Sequence, residues 1–182
     1  MRILLAVASR HHGTWEIGEV IARRLRERGH DVDQRAPEDV PTVAGHDAVV
    51  IGSAVYTAHW LPAARELADR CAEELRTRPV WTFSSGLATQ PANSANSPLE
   101  VAALRERIGA RAHRSFRGRL DRSVLSFTER AIIAGGRARE GDHRDMAAVT
   151  AWADEIADAL AAVPPEHRSA AASRPAVGTR LR

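Results

Sequence analysis

Residues 2–29 read RILLAVASRHHGTWEIGEVIARRLRERG, and their pattern decides the fold. The six residues from Ile3 to Ala8 make a near-continuous apolar run, the form a strand takes when helices cover both faces of its sheet. A polar loop follows, Ser9-Arg10-His11-His12-Gly13-Thr14. Beyond it Ile17, Val20, Ile21 and Leu25 recur on one helical face, with Thr14 a candidate cap and Gly29 a stop. A strand, a polar loop and an amphipathic helix in this order bring hydroxyls and unpaired amides to the positive end of a helix dipole. That junction is suited to holding an anion.

The same strand-helix unit recurs outward from this start. Residues 30–35 suit a short edge strand, and residues 47–52 (Asp-Ala-Val-Val-Ile-Gly) a second buried one. Pro62 opens a helix with Ala64, Ala68, Cys71 and Leu75 at helical spacing. Residues 79–83 (Pro-Val-Trp-Thr-Phe) read as a third buried strand, entering a polar stretch from Ser84-Ser85-Gly86-Leu87 to Ser97. A helix over 98–110, a last strand over 113–119 and a terminal helix over 145–162 complete the alternation. The terminal helix carries Met146, Val149, Trp152, Ile156 and Leu160 on its apolar side. Such alternation predicts an α/β fold, a parallel sheet between two helical layers with right-handed crossovers. The domain is expected to span residues 1–162. It includes a basic insertion at about 120–144, with an apolar middle at Val124, Leu125, Phe127, Ile132 and Ile133. From residue 163 to 182, Pro, Ala, Ser and Arg dominate, a composition that predicts a disordered tail.

Composition narrows the chemistry. All 26 basic residues are arginine, so a Walker-type phosphate lysine, a Schiff-base lysine and a receiver-domain lysine are absent. The net charge of +3 is unevenly placed: residues 111–144 carry +5, residues 163–182 carry +3, and the remainder carries −5. Basic character is therefore attached to an acidic core. The single cysteine, Cys71, excludes an intrachain disulfide and reads as a small core residue. No Cys/His spacing of a metal site, no Ser/His/Asp triad and no paired carboxylates stand out. No apolar run is long enough to span a bilayer, and Met1 leads directly into the first strand, so a cytoplasmic location is expected.

These loops resemble those of the flavodoxin superfamily. The resemblance implies a five-stranded parallel sheet of order 2-1-3-4-5, in a flavodoxin-like three-layer sandwich, with FMN over the carboxyl ends of the strands. The loop Ser9, Arg10, His11, His12, Gly13, Thr14 is similar to the family's phosphate loop T-x-T-G-x-T. Ser9 and Thr14 match in chemistry. His12 stands where glycine is usual, and histidine resists positive φ; the departure either weakens FMN binding or brings an imidazole near the phosphate. The loop Ser53-Ala54-Val55-Tyr56 is expected beside the flavin ring, with Tyr56 preferred over Trp60 as the stacking contact and Trp60 equally readable as a hydrophobic plug. Ser84-Ser85-Gly86-Leu87 occupies the second flavin-contacting loop.

Within the superfamily the chain resembles the menaquinone-dependent protoporphyrinogen oxidases. Ala8-Ser9-Arg10, the Gly52-Ser53-Ala54-Val55-Tyr56 turn with His59-Trp60 beyond, and a late basic insertion ending in Gly135-Gly136 before Trp152 carry that resemblance. It implies an FMN-dependent oxidoreductase passing electrons from a small reduced substrate to a quinone or similar acceptor. Arg114, Arg117, Arg119, Arg122 and Arg130 are then candidate contacts for substrate carboxylates or an anionic membrane surface, against the plainer reading of solvated surface charge. The main alternative is a non-enzymatic flavodoxin-type electron carrier that docks to partner proteins. An NAD(P)H:quinone reductase and a flavin-free scaffold are weaker readings, and specific nucleic-acid binding has only charge in its favour.

Overall fold

A computed structural model describes residues 1–86, 98–128, 130–131 and 140–162. Strand β1 (Arg2–Ala8) sits inside the sheet, where Ile3, Leu4, Leu5 and Ala6 have no exposed surface. Their odd-numbered members face one helical layer and their even-numbered members the other, so no polar position breaks the run. Helix α1 (Gly13–Glu27) buries Ile17, Ile21 and Leu25, and Gly29 at φ 84° ends it. β2 (Asp31–Arg35) takes the sheet edge beside β1.

After β3 (Ala48–Tyr56) come a short return strand β4 (His59–Trp60), α2 (Pro62–Arg70), α3 (Ala72–Arg76) and β5 (Val80–Gly86). α4 (Leu99–Ile108) and β6 (Ala112–Arg117) complete the sheet, whose parallel order is β2-β1-β3-β5-β6. Leaving out the antiparallel β4, this is the expected 2-1-3-4-5 order. The order reverses direction at β1, the position where open α/β sheets leave a crevice at their carboxyl edge.

The chain then forms β7 (Arg119–Leu120), β8 (Gly141–Asp142), antiparallel to β7, and helix α5 (Met146–Ala161). α1 and α5 cover one face. There Trp152 meets Phe83 and Phe116 edge-on, with ring centroids 6.0 and 5.7 Å apart. Helices α2, α3 and α4 cover the other through Leu67, Leu75, Val101 and Ile108. The Oδ1 atom of Asp145 caps α5 by accepting from the Ala148 amide at 2.9 Å.

Several expectations from the sequence are corrected. β3 and β5 do not end at Gly52 and Phe83 but continue through Tyr56 and Gly86. Ser53 lies between Ala8 and Ser84 in the ladder, so main-chain pairing on both sides carries the strand on despite polar side chains. The helix expected after Pro62 is divided at Cys71, although its apolar residues keep one buried face. The last strand stops at Arg117, because Gly118 turns the chain while its amide donates to the Gly86 carbonyl at 2.8 Å. In the insertion Leu125 is buried, but Val124 and Phe127 are 52% and 88% exposed. Ile132, Ile133, Gly135, Gly136, the stretch from Leu87 to 97 and the 163–182 tail lie outside the described residues. Cys71 is buried as expected, and burial raises its thiol pKa.

A polar group lies in the α2–α4 layer. His113 on β6 pairs through Nδ1 with Thr82 Oγ1 at 2.9 Å and through Nε2 with Ser84 Oγ at 3.2 Å. Burial, helped by repulsion from Arg105, lowers its pKa from 6.5 to about 4. The unfolded chain therefore takes up this proton first as pH falls, so the contribution is complete above pH 6.5, declines down to about 4 and then levels. Thermal melts between pH 4 and 8 are expected to show that slope in the native protein. His113→Gln is expected to flatten it.

Candidate functional site

Residues from three carboxyl-edge segments meet at the β1/β3 crevice. The first is the loop between β1 and α1. His12 adopts φ 58° and ψ −17°, the left-handed conformation, and makes no side-chain cap. The loop thus closes with histidine in the conformation glycine favours. Thr14 is not the cap expected from sequence: it lies one residue inside the helix and is 5% exposed. The Gly13 amide donates to His11 O at 2.7 Å and the Glu16 amide to His12 O at 2.9 Å, which leaves the Thr14 and Trp15 amides facing out of the helix end. Ser9 Oγ is buried without a hydrogen-bond partner among the described residues. A buried hydroxyl left unpaired is costly unless a ligand oxygen completes it, so this loop fits an anionic group such as a phosphate.

Left-handed histidine stores about 1 kcal/mol of strain. His12 is exposed, so glycine there sacrifices little packing. His12→Gly is accordingly expected to raise stability by about 1 kcal/mol, read as a higher thermal midpoint. An unchanged or lower midpoint would show that the imidazole makes compensating contacts.

The second segment is the end of β3. Ser53, Ala54, Val55 and Tyr56, expected in a loop, belong to the strand, and the turn lies at Thr57 and Ala58 with φ 47° and 62°. Two consecutive positive φ values make a tight hairpin whose twist matches its strands. Val55 pairs with Trp60 and Tyr56 with His59. Trp60 is 1% exposed and its indole Nε1 donates to Ser84 Oγ at 2.7 Å, which makes it the plug. Tyr56 stays at the surface beside the first loop: its ring lies 6.4 Å from that of His11, and the Arg10 guanidinium carbon lies 4.9 Å from its centroid.

The third segment is the end of β5. Ser84 and Ser85 are buried strand residues, and Gly86 pairs with Arg117. The Ser53 hydroxyl accepts from the Leu61 amide at 2.9 Å and donates to Ala54 O. Both Ser53 and Ser84 hydroxyls are therefore used in holding the β3–β4 hairpin. Leu87 lies outside the described residues.

Sequence reasoning missed the residue that ties the insertion to this site. Arg144, with a side chain 5% exposed, donates from Nη1 to Gly13 O at 3.0 Å and to Glu16 Oε2 at 2.5 Å. Its Nε and Nη2 reach the two Asp142 oxygens at 2.8 and 2.6 Å. Arg119 also pairs with Glu16, at 3.0 Å. Among the other candidate arginines, Arg114 pairs with Glu155, Arg122 lies 3.9 Å from Glu140, and Arg130 donates to Leu125 O. Arg117 is exposed at the end of β6. The only sequence signal for Arg144 is its place just before the last helix, since Gly13 and Glu16 lie more than a hundred residues away in the chain.

An open parallel sheet of this order, with an anion-fitting loop at its switch point, defines a mononucleotide-binding α/β protein. The flavodoxin domain profile matches residues 4–146, and the chain belongs to the flavodoxin domain family. Membership makes FMN the implied cofactor and the chain an FMN-type redox protein. Similar solved structures include a flavodoxin from the domain Archaea, 14% identical at a TM-score of 0.63, covering 88% of this chain and 99% of its own. Oxidised flavodoxin 1 from Bacillus cereus is 11% identical at a TM-score of 0.60, covering 90% and 100%. The apo form of an NADH:FMN oxidoreductase is 15% identical at a TM-score of 0.59, covering 98% and 99%. No curated protein matches the sequence. Among the described residues no helix is long and apolar enough to cross a membrane.

Proposed function

We propose that this chain is an FMN-dependent oxidoreductase of the protoporphyrinogen-oxidase type, oxidising a small reduced substrate and delivering the electrons to a quinone or similar acceptor. The observation that carries this reading is the fastening of the insertion to the cofactor loop through Arg144, Arg119 and Glu16. A carrier that only docks to partner proteins has no need of a basic segment tied to the start of α1. An enzyme whose substrate bears carboxylates gains from it.

FMN, when bound, supplies the two-electron chemistry, and the protein supplies binding and orientation. Ser9, the Thr14 and Trp15 amides and the loop from Arg10 to Thr14 would hold the phosphate. Tyr56, together with the main chain of residues 53–56 and 84–86, would border the ring. Arg117, exposed at the end of β6, and Arg122 would meet anionic substrate groups, since guanidinium pairs well with carboxylate.

Adding FMN to the purified protein is expected to produce bound-flavin absorbance bands with quenched fluorescence. The loaded protein is then expected to oxidise protoporphyrinogen with a soluble naphthoquinone and no protein partner, and Arg117→Gln to raise KM. Reduced flavin that passes electrons only to a partner protein would favour the carrier. Flavin bleaching by NADH would favour a nicotinamide-dependent reductase. Vesicles containing anionic lipid, added to the assay, test whether the same arginines touch a membrane.

A further inference from the structure

We infer that Arg144 is the positioning residue of the cofactor loop, fixing the peptide between Gly13 and Thr14 so that its amide faces the FMN phosphate. The inference rests on the flavin reading above and adds a residue from outside all three carboxyl-edge segments. Gly13 O and the Thr14 amide belong to one planar peptide unit and point in opposite directions. The guanidinium bond at 3.0 Å to that carbonyl therefore fixes the direction of the amide and polarises its hydrogen toward the open end of α1.

The surrounding charges support the same role. Glu16 sits in the first turn of α1, where a carboxylate suits the helix dipole but repels an anionic ligand. Arg119 and Arg144 both pair with it, removing most of that repulsion. Asp142 grips Arg144 side-on through both oxygens, and this pairing lowers the Asp142 pKa to about 2. Asp142 therefore stays ionised at neutral pH and keeps its grip on Arg144. β7 and β8 set Arg119 opposite Asp142, the residue that grips Arg144, and a Cβ on Gly13 would lie 3.8 Å from that of Arg119. The basic ribbon thus braces the phosphate loop from outside.

The test compares FMN with riboflavin, which lacks the phosphate, in one buffer by quenching of flavin fluorescence. Arg144→Gln is expected to weaken FMN by about tenfold while riboflavin binding changes little, so that the riboflavin-to-FMN ratio of Kd values falls by about tenfold. Arg144→Lys keeps the charge without the planar fork; it carries the test should the glutamine variant fail to fold, with an expected fall in the ratio of about threefold. A ratio unchanged in the folded variant, with both ligands weakened equally or not at all, overturns the inference and reduces Arg144 to a fastening for the ribbon. Native protein that binds neither flavin overturns the flavin reading itself, a result told apart by the native protein alone.

Discussion

Trp60→Ala is expected to destabilise the protein by roughly 3–5 kcal/mol, as removal of a large buried aromatic usually does. The indole is 1% exposed, packs among residues under α2 and α4, and donates to Ser84 Oγ at 2.7 Å. It also secures β4, whose turn uses non-glycine residues at positive φ and has little local preference for its shape. Trp60→Phe keeps most of the packing and leaves Ser84 its bond to His113, so its expected cost is about 1 kcal/mol. Chemical denaturation of both variants beside an FMN titration makes the check. An alanine variant as stable as the native protein but deficient in FMN binding would mean that the ring faces the cofactor.

Gly52→Ala is expected to cost about 3 kcal/mol and lower the thermal midpoint by roughly 10 °C. A Cβ at this position would lie 2.1 Å from Phe83 Cζ and 2.2 Å from Cε1. Phe83 is fully buried and held edge-on by Phe116 and Trp152, so the ring has no open space into which to swing. The penalty is overpacking rather than backbone strain. Replacing Phe83 with leucine in the same chain should therefore return part of the loss. Calorimetry on the two single variants and the double variant measures that coupling, and simple additivity would deny the clash.

These two positions also mark where sequence reading loses its hold. Gly52 is visible in the sequence as a glycine ending an apolar run, and the natural inference is a turn. Its actual reason is an aromatic ring on the neighbouring strand, thirty-one residues away in the chain. In sequence Trp60 reads equally as plug or flavin contact, because an indole serves either role. The acceptor that decides it, Ser84, comes from β5. Ser53 and Ser84 read as loop hydroxyls for the same reason: polarity suggests solvent, whereas a strand paired on both sides keeps its ladder and places such hydroxyls against internal partners.

His12 shows the opposite case. A local alignment of six residues marked it as the one place where the loop asks histidine for a glycine conformation, and φ 58° meets that demand. Its neighbours are sequential, so sequence was sufficient. Arg144 could not be found in this way, because Gly13, Glu16 and Arg144 become neighbours only in the folded chain.

By itself the amino-acid sequence determined the periodic features: the buried parallel strands, the amphipathic helices between them, their order, and an anion-fitting loop after the first strand. These follow from hydrophobic repeats and turn chemistry acting over a few residues. Tertiary structure alone decided which serines and arginines remain available to a ligand and which are consumed by internal partners. That choice depends on distances between segments far apart in the chain, where packing rather than local preference sets every neighbour.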